Sequence, residues 1–184
     1  MSASGVKPII NFYKITPKSP SQHWYVTRCE GSKLSETTVV KCARGEITIT
    51  KPILIKLKGR KPVEFIFGLG AFFIKQEIID FLKADDFTGW KTFPVSIEGL
   101  PASAKYSGLA VTGRAGRSFA DGSAYPIVPN FDPKKWDGND FFALTDANGF
   151  YISERLYNAL KKHGISCINY EMFTPTGSAK RASR

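Results

Sequence analysis

The clearest hydrophobic rhythm runs through residues 46–58. Ile47 and Ile49 alternate with Thr48 and Thr50, and beyond Pro52 the residues Ile53, Ile55 and Leu57 alternate with Leu54, Lys56 and Lys58. A period of two sends successive side chains to opposite faces of a strand, so the stretch predicts strands with one wet face. Pro52 has no N–H to give to a ladder and marks a turn or an edge position. Lysines on the outer face discourage edge-to-edge pairing. Runs of aromatic and β-branched residues predict further strands at 23–27, 63–67, 92–97, 106–112 and 165–173. Two segments change period. In residues 75–83, Ile78, Ile79, Phe81 and Leu82 share one helical face. A second helix starts at Ser153, whose hydroxyl can accept a first-turn N–H bond. Leu156, Ala159, Leu160 and His163 follow at helical spacing, Lys161 and Lys162 suit the last turn, and Gly164 suits the position just past it. Pro, Ser, Gly and Asn clusters at 16–21, 99–103, 113–117, 120–123, 130–133, 137–140 and 146–149 read as loops.

Two of these stretches align without gaps at a fixed offset. Phe73 and Ile74 match Tyr151 and Ile152, Ile78 matches Leu156, Leu82 matches Leu160, and Lys83 matches Lys161; Phe87 and Trp90 fall on Ile165 and Ile168. The pattern predicts an internal duplication and an α+β fold of two similar lobes, each a small, mainly antiparallel sheet with one amphipathic helix. The expected organisation is an N-terminal lobe with basic strands over residues 1–104, a second lobe over 105–175, and a flexible basic tail over 176–184, with the lobes packed as one unit.

Length and composition support that picture. The chain has 184 residues, 42% of them hydrophobic, with 14 Phe, which is ample material for a core. Charge changes it. Residues 1–61 hold 12 Lys/Arg against 3 Asp/Glu, whereas residues 62–184 hold 14 against 13. A basic N-terminal third attracts nucleic acid, an anionic membrane or an acidic protein, or simply forms a solvated face. The longest apolar run, 65–74, contains two glycines and is too short to cross a bilayer, which takes about 20 residues. The N-terminus lacks the pattern of a signal peptide, and three cysteines do not suggest a disulfide framework. The expectation is a cytoplasmic protein without membrane contact.

Candidate chemistry is sparse. His23 and His163 adjoin no nucleophile in sequence, and His163 fits a helix C-terminus. Cys29 and Cys42 form no Cys-x-x-Cys pair; they could meet His23 around a metal, or be buried thiols. Asp132, Asp137 and Asp140 lack the spacing of a calcium loop, and Asp137 with Asn139 suits a turn bonded to nearby backbone N–H groups. The segment Gly113-Arg114-Ala115-Gly116-Arg117 could cradle a phosphate or be a plain turn. Trp24, Tyr25, Phe12 and Tyr13 beside the basic third could stack on nucleic-acid bases, or lie in a core. No catalytic set, cofactor or metal site is expected; the chain reads as a binder.

One run is more specific. Val111-Thr112-Gly113-Arg114-Ala115-Gly116, then Gly122-Ser123, then Trp136-Asp137-Gly138-Asn139-Asp140-Phe141-Phe142, then Tyr151-Ile152-Ser153-Glu154-Arg155 resembles the bacterial double-CXXCG motif immunity proteins over residues 106–173. The resemblance implies neutralisation of a cognate toxin by direct protein contact. It departs from the family at its namesake: neither Cys-x-x-Cys-Gly element is intact, Cys29 and Cys42 stand where remnants of the first would be, and no cysteine lies between Gly113 and Trp136. Zinc is therefore not carried over. Within the motif, Trp136, Asp137, Gly138, Asp140, Phe141 and Phe142 are expected to build the second lobe. The contact surface is placed on Lys56, Lys58, Arg60 and Lys61, which would suit an acidic face on the toxin. The alternative is a basic nucleic-acid-binding accessory protein.

Overall fold

The computed structural model describes residues 10–18, 25–28, 36–58, 63–98, 100, 104–118, 130–147 and 149–175. Its strands are β1 (Phe12–Pro17), β2 (Tyr25–Arg28), β3 (Ile53–Lys58), β4 (Phe65–Gly68), β5 (Ala71–Lys75), β6 (Trp90–Phe93), β7 (Val95–Glu98), β8 (Tyr106–Val111), β9 (Gly113–Arg114), β10 (Phe141–Ala143), β11 (Phe150–Ser153) and β12 (Ile168–Phe173). The helices are α1 (Glu36–Ala43), α2 (Gln76–Ala84) and α3 (Glu154–Lys162), with a short 3-10 turn at Pro133–Lys135. The class is α+β. One sheet has the order β12-β1-β11-β10-β9, and the other β6-β8-β5-β4-β2-β3-β7.

The alternation in β3 is realised: Ile53 and Ile55 are buried, and Lys56 is exposed. The strand is not an edge, however, because β2 and β7 flank it. The Ile47–Thr50 alternation forms no strand; it lies between the end of α1 and Pro52. The strand expected at 92–97 is cut by Pro94 into β6 and β7, which occupy opposite edges of the seven-stranded sheet. One residue joins those two edges, so the sheet curls until they meet. The Pro94 carbonyl accepts from Ile53 N–H at 3.1 Å and helps close the curl. In the same economical way, β8 and β9 are joined by Thr112 alone but belong to different sheets, so this continuous stretch ties the sheets together.

The two aligned segments fold as strand–helix–strand units with matching bounds, β5-α2-β6 and β11-α3-β12. In each, a third strand lies between the two strands and antiparallel to both: β8 in the first, β1 in the second. This placement cuts across the expected division at residue 104. Strand β1 lies in the sheet of the C-terminal unit, and β8 in that of the N-terminal unit, because hydrogen-bonding partners, not chain order, decide sheet membership. The expected tail at 176–184 lies outside the described residues.

The main core fills the space between the units and includes Ile15, Phe72, Phe73, Ile78, Leu82, Phe141, Ile152, Leu156 and Leu160. On the opposite face of the five-stranded sheet a smaller cluster gathers Phe12, Phe131, Phe142, Tyr151 and Phe173, with Trp136 packed against it. Its rings meet mostly edge to face, for instance Phe12 and Trp136 at 4.9 Å and Phe12 and Phe142 at 5.3 Å, the arrangement favoured by the ring quadrupole.

Candidate functional site

The 136–142 segment begins with a turn and ends in β10. Gly138 adopts φ +85°, the left-handed region that favours glycine. Asp137 organises the turn: its Oδ1 accepts from Asn139 N–H at 3.1 Å and its Oδ2 from Arg114 N–H at 2.7 Å. Trp136 Nε1 donates to the Asn139 carbonyl at 2.9 Å, which fixes the indole against the small aromatic cluster. The two phenylalanines then separate by strand alternation. Phe142 enters the aromatic cluster and Phe141 the main core. The backbone at 139–141 lies directly on Gly89 and Gly113. A Cβ at either would collide with the Phe141 carbonyl oxygen and come within 2.6 Å of the Asn139 Cβ. This close approach is the physical reason for Gly113.

Asp140 is the centre of a joint between the units. It is buried, with a side-chain exposure of 6%. Its Oδ1 accepts from Ser153 Oγ–H at 2.7 Å and Arg155 Nε–H at 3.0 Å. Its Oδ2 accepts from Arg155 Nη2–H at 2.5 Å and Thr88 N–H at 3.0 Å. Burial opposes the charge, but the hydrogen bonds from Arg155, Ser153 and Thr88 outweigh it and hold the carboxyl below the usual carboxylate range. Arg155 continues the link. It donates to the carbonyls of Asp85 and Asp86 at the end of α2, and its guanidinium lies 4.4 Å from the Phe87 ring centroid. The joint therefore connects the C-terminal end of α2, the loop before β10 and the first turn of α3. Sequence reading found Asp140 but missed Arg155, Ser153's second role and Thr88; the only local signal was the Ser153-Glu154-Arg155 helix start.

Beside the joint is an open hollow of about 550 Å³, lined by Lys83, Asp86, Phe87, Thr88, Trp90, Lys91 and Thr92. Trp90 is partly exposed, and its Nε1 donates to the Phe87 carbonyl at 2.8 Å. Lys83 and Lys91 are exposed at its rim. A second, apolar cavity of about 340 Å³ opens where β1, α1, β4, β5 and β11 converge.

Of the basic residues expected at the contact surface, Lys56 and Lys58 are described, and neither lines these two concavities. Lys56 lies on β3 and forms an ion pair with Glu98 on β7 at 3.4 Å. Lys58 ends β3, its backbone paired with Tyr25, while Arg60 and Lys61 lie outside the described residues. Arg114 of the glycine-rich segment is bound to protein: its guanidinium donates to the carbonyls of Val111, Gly113 and Arg44. Arg44 in turn donates to the carbonyls of Leu144, Thr145 and Ala147. These two arginines bind mostly part-buried backbone carbonyls, which leaves Arg114 little capacity for a phosphate.

No protein-family model matches the chain, and no curated protein matches it. Among the described residues, no group of three or more His, Cys, Asp or Glu is placed to hold a metal. Cys29 and His23 lie outside those residues; Cys42 and Cys167 are buried free thiols. Burial pushes the Cys167 thiol up to about 11 and raises that of Cys42, so neither is primed as a thiolate. His163 ends α3 and stacks on Phe81 at 4.4 Å. No helix among the described residues is long and apolar enough to cross a membrane.

Proposed function

We propose that this chain is a cytoplasmic immunity protein of the double-CXXCG motif type, which neutralises a cognate toxin by direct contact. The observation that carries the reading is the hollow beside the joint. It combines a partly exposed Trp90 with exposed Lys83 and Lys91, on a surface braced by the Asp140–Arg155 bond. A fixed aromatic anchor flanked by two lysines, with Asp86 the one carboxylate in the lining, has the composition of an interface hot spot that captures a mainly acidic partner, and the surplus of 26 basic over 16 acidic residues speeds the encounter. The Trp-Asp-Gly-Asn-Asp-Phe-Phe motif supports this role indirectly: its polar groups hold the hollow's floor in place and leave the contact to neighbouring residues. Lys56 remains a secondary contact at most, because Glu98 already pairs with it.

The test is co-expression with the product of the adjacent reading frame, followed by pull-down and titration. Trp90→Ala is expected to weaken the complex about 30-fold, the effect of losing a Trp hot spot. Lys91→Glu should slow association in low salt and have less effect in high salt. Absence of any co-purifying partner, together with binding of generic DNA or RNA that falls steeply with salt, would overturn the reading in favour of a nucleic-acid-binding accessory protein.

A further inference from the structure

The five-stranded sheet ends on an open strand, away from the hollow beside the joint. Strand β12 pairs with β1 over six residues without a bulge, and among the described residues no strand pairs with its other side. The other sheet ends offer less: β9 is two residues long, and β6 and β7 meet where the larger sheet curls. Edge strands are usually guarded by lysine, proline, a bulge or a covering element, because their unpaired N–H and C=O groups template pairing with another chain. The sequence of β12, Ile168-Asn169-Tyr170-Glu171-Met172-Phe173, has no lysine or proline and a single charge, Glu171.

Register decides which backbone groups face outward. Lys18 N–H donates to the Cys167 carbonyl at 3.3 Å, in the same register that sets Phe12 opposite Phe173. Bonded and unbonded pairs alternate along an antiparallel ladder, so Asn169, Glu171 and Phe173 turn their N–H and C=O toward β1. Ile168, Tyr170 and Met172 turn theirs to the open side. The side chains of these three share a face with Tyr13 and Ile15. Tyr170 meets Tyr157 of α3 edge to face at 5.1 Å, and Tyr157 stacks on Tyr13 at 3.7 Å. Met172 extends this aromatic strip and, at 61%, is the most exposed large hydrophobic side chain among the described residues.

We propose that β12 pairs with β12 of a second copy of the chain, antiparallel about a two-fold axis at Tyr170, so that two five-stranded sheets become one. In this register Ile168 of each copy faces Met172 of the other, and Tyr170 faces Tyr170. Every outward N–H of the three residues then meets an outward carbonyl. Asn169 falls opposite Glu171 in an unbonded pair, where side chains lie closest, and its amide donates to the carboxylate. An axis at Glu171 would set carboxylate against carboxylate, and one at Asn169 would carry Met172 past the start of the partner strand. The strand thus matches itself in one register, which selects a second copy over an unrelated strand.

Sedimentation equilibrium of the full chain should show a monomer–dimer equilibrium with Kd on the order of 10 µM, the weak end expected of a small interface. Amide exchange should slow with rising protein concentration at Ile168, Tyr170 and Met172, and not at Asn169 and Glu171, which already bond to β1. Met172→Pro removes an outward N–H while sparing the β1 ladder and should raise Kd at least about tenfold. Met172→Lys takes its place should the proline variant fail to melt cooperatively. Asn169→Asp sets a carboxylate opposite Glu171 and should raise Kd about fivefold, and adding Glu171→Asn should restore it. The proposal is overturned if the chain stays monomeric at about 300 µM, if the Met172 variants dimerise undiminished, or if the double variant fails to recover. Alternating protection that arises only when a co-expressed toxin binds also overturns it, because the edge would then receive the toxin's strand.

Discussion

The units β5-α2-β6 and β11-α3-β12 have the same order and the same helix length, yet their helices are capped differently. Lys75 precedes α2 and makes no side-chain cap, whereas Ser153 precedes α3 and accepts from Leu156 N–H at 3.2 Å. Both helices end by the same pair of backbone bonds. Phe87 N–H reaches the Leu82 carbonyl and Asp86 N–H that of Lys83; Ile165 and Gly164 repeat this on Leu160 and Lys161. The residue in the left-handed conformation is Gly164 in one unit and Asp86, at φ 51°, in the other. The second unit thus has a good local signal at each end. The first is held at its C-terminal end by a neighbour, since Arg155 binds the Asp85 and Asp86 carbonyls. A helix with weak caps can be positioned by tertiary bonds, and the cost is dependence on them.

Cutting the joint tests this dependence most severely. Asp140→Ala should destabilise the protein by about 2–3 kcal/mol, because it leaves the buried hydroxyl of Ser153 and the part-buried N–H of Thr88 without an acceptor and releases the half-exposed Arg155. Chemical denaturation reads the loss, and hydrogen exchange should report faster opening of α2. The same carboxylate sets a pH dependence. Its pKa is lowered in the folded state, so its contribution is full above the unfolded value of about 3.9 and is lost as pH falls through the folded value. The stability gap between the natural sequence and Asp140→Asn should therefore shrink below about pH 4; a gap independent of pH would exclude an ionised Asp140 as the source. Trp136→Ala should cost about 2–3 kcal/mol, less than a fully buried Trp because the indole is partly exposed. An unchanged melting temperature would show that the indole contributes little to the aromatic cluster. Ser153→Ala should cost about 1–2 kcal/mol, while Lys75→Ala should cost much less. The smallest effect runs the other way: Asp86→Gly should stabilise by about 0.5 kcal/mol or leave stability unchanged, since it relieves the left-handed backbone but adds freedom to the unfolded chain.

This contrast explains what was legible in the sequence. Helix α3 announces itself through Ser153, its apolar spacing and Gly164, all local signals. Helix α1 does not: Thr37, Thr38, Val39 and Val40 are β-branched, with low helix propensity, and tertiary burial of Val39 and Cys42 overrides it. The alternation of β3 gave its buried face correctly, but not its neighbours, because a period of two carries no information about pairing. Pro94 was visible as a residue, yet its separation of two strands to opposite edges depends on the curl of the whole sheet. Of the candidate site, the turn chemistry of Asp137 and Gly138 was readable. The Asp140–Arg155 bond, the Arg44 and Arg114 clamps and both concavities were not, since each joins residues distant in sequence. The charge-based choice of Lys56, Lys58, Arg60 and Lys61 rested on local density alone, and Lys56 meets Glu98 across the sheet.

The position of β1 has a kinetic consequence. It pairs with β12 from Phe12 opposite Phe173 to Pro17 opposite Ile168, and with β11 on its other side. During synthesis these residues leave the ribosome long before either partner strand exists. The five-stranded sheet cannot close until translation has passed Phe173, so its assembly waits on a long loop closure, the slow step expected of non-local pairing. Until then the apolar residues of β1 are exposed, and the interval between synthesis and readiness is set by the last strand rather than the first.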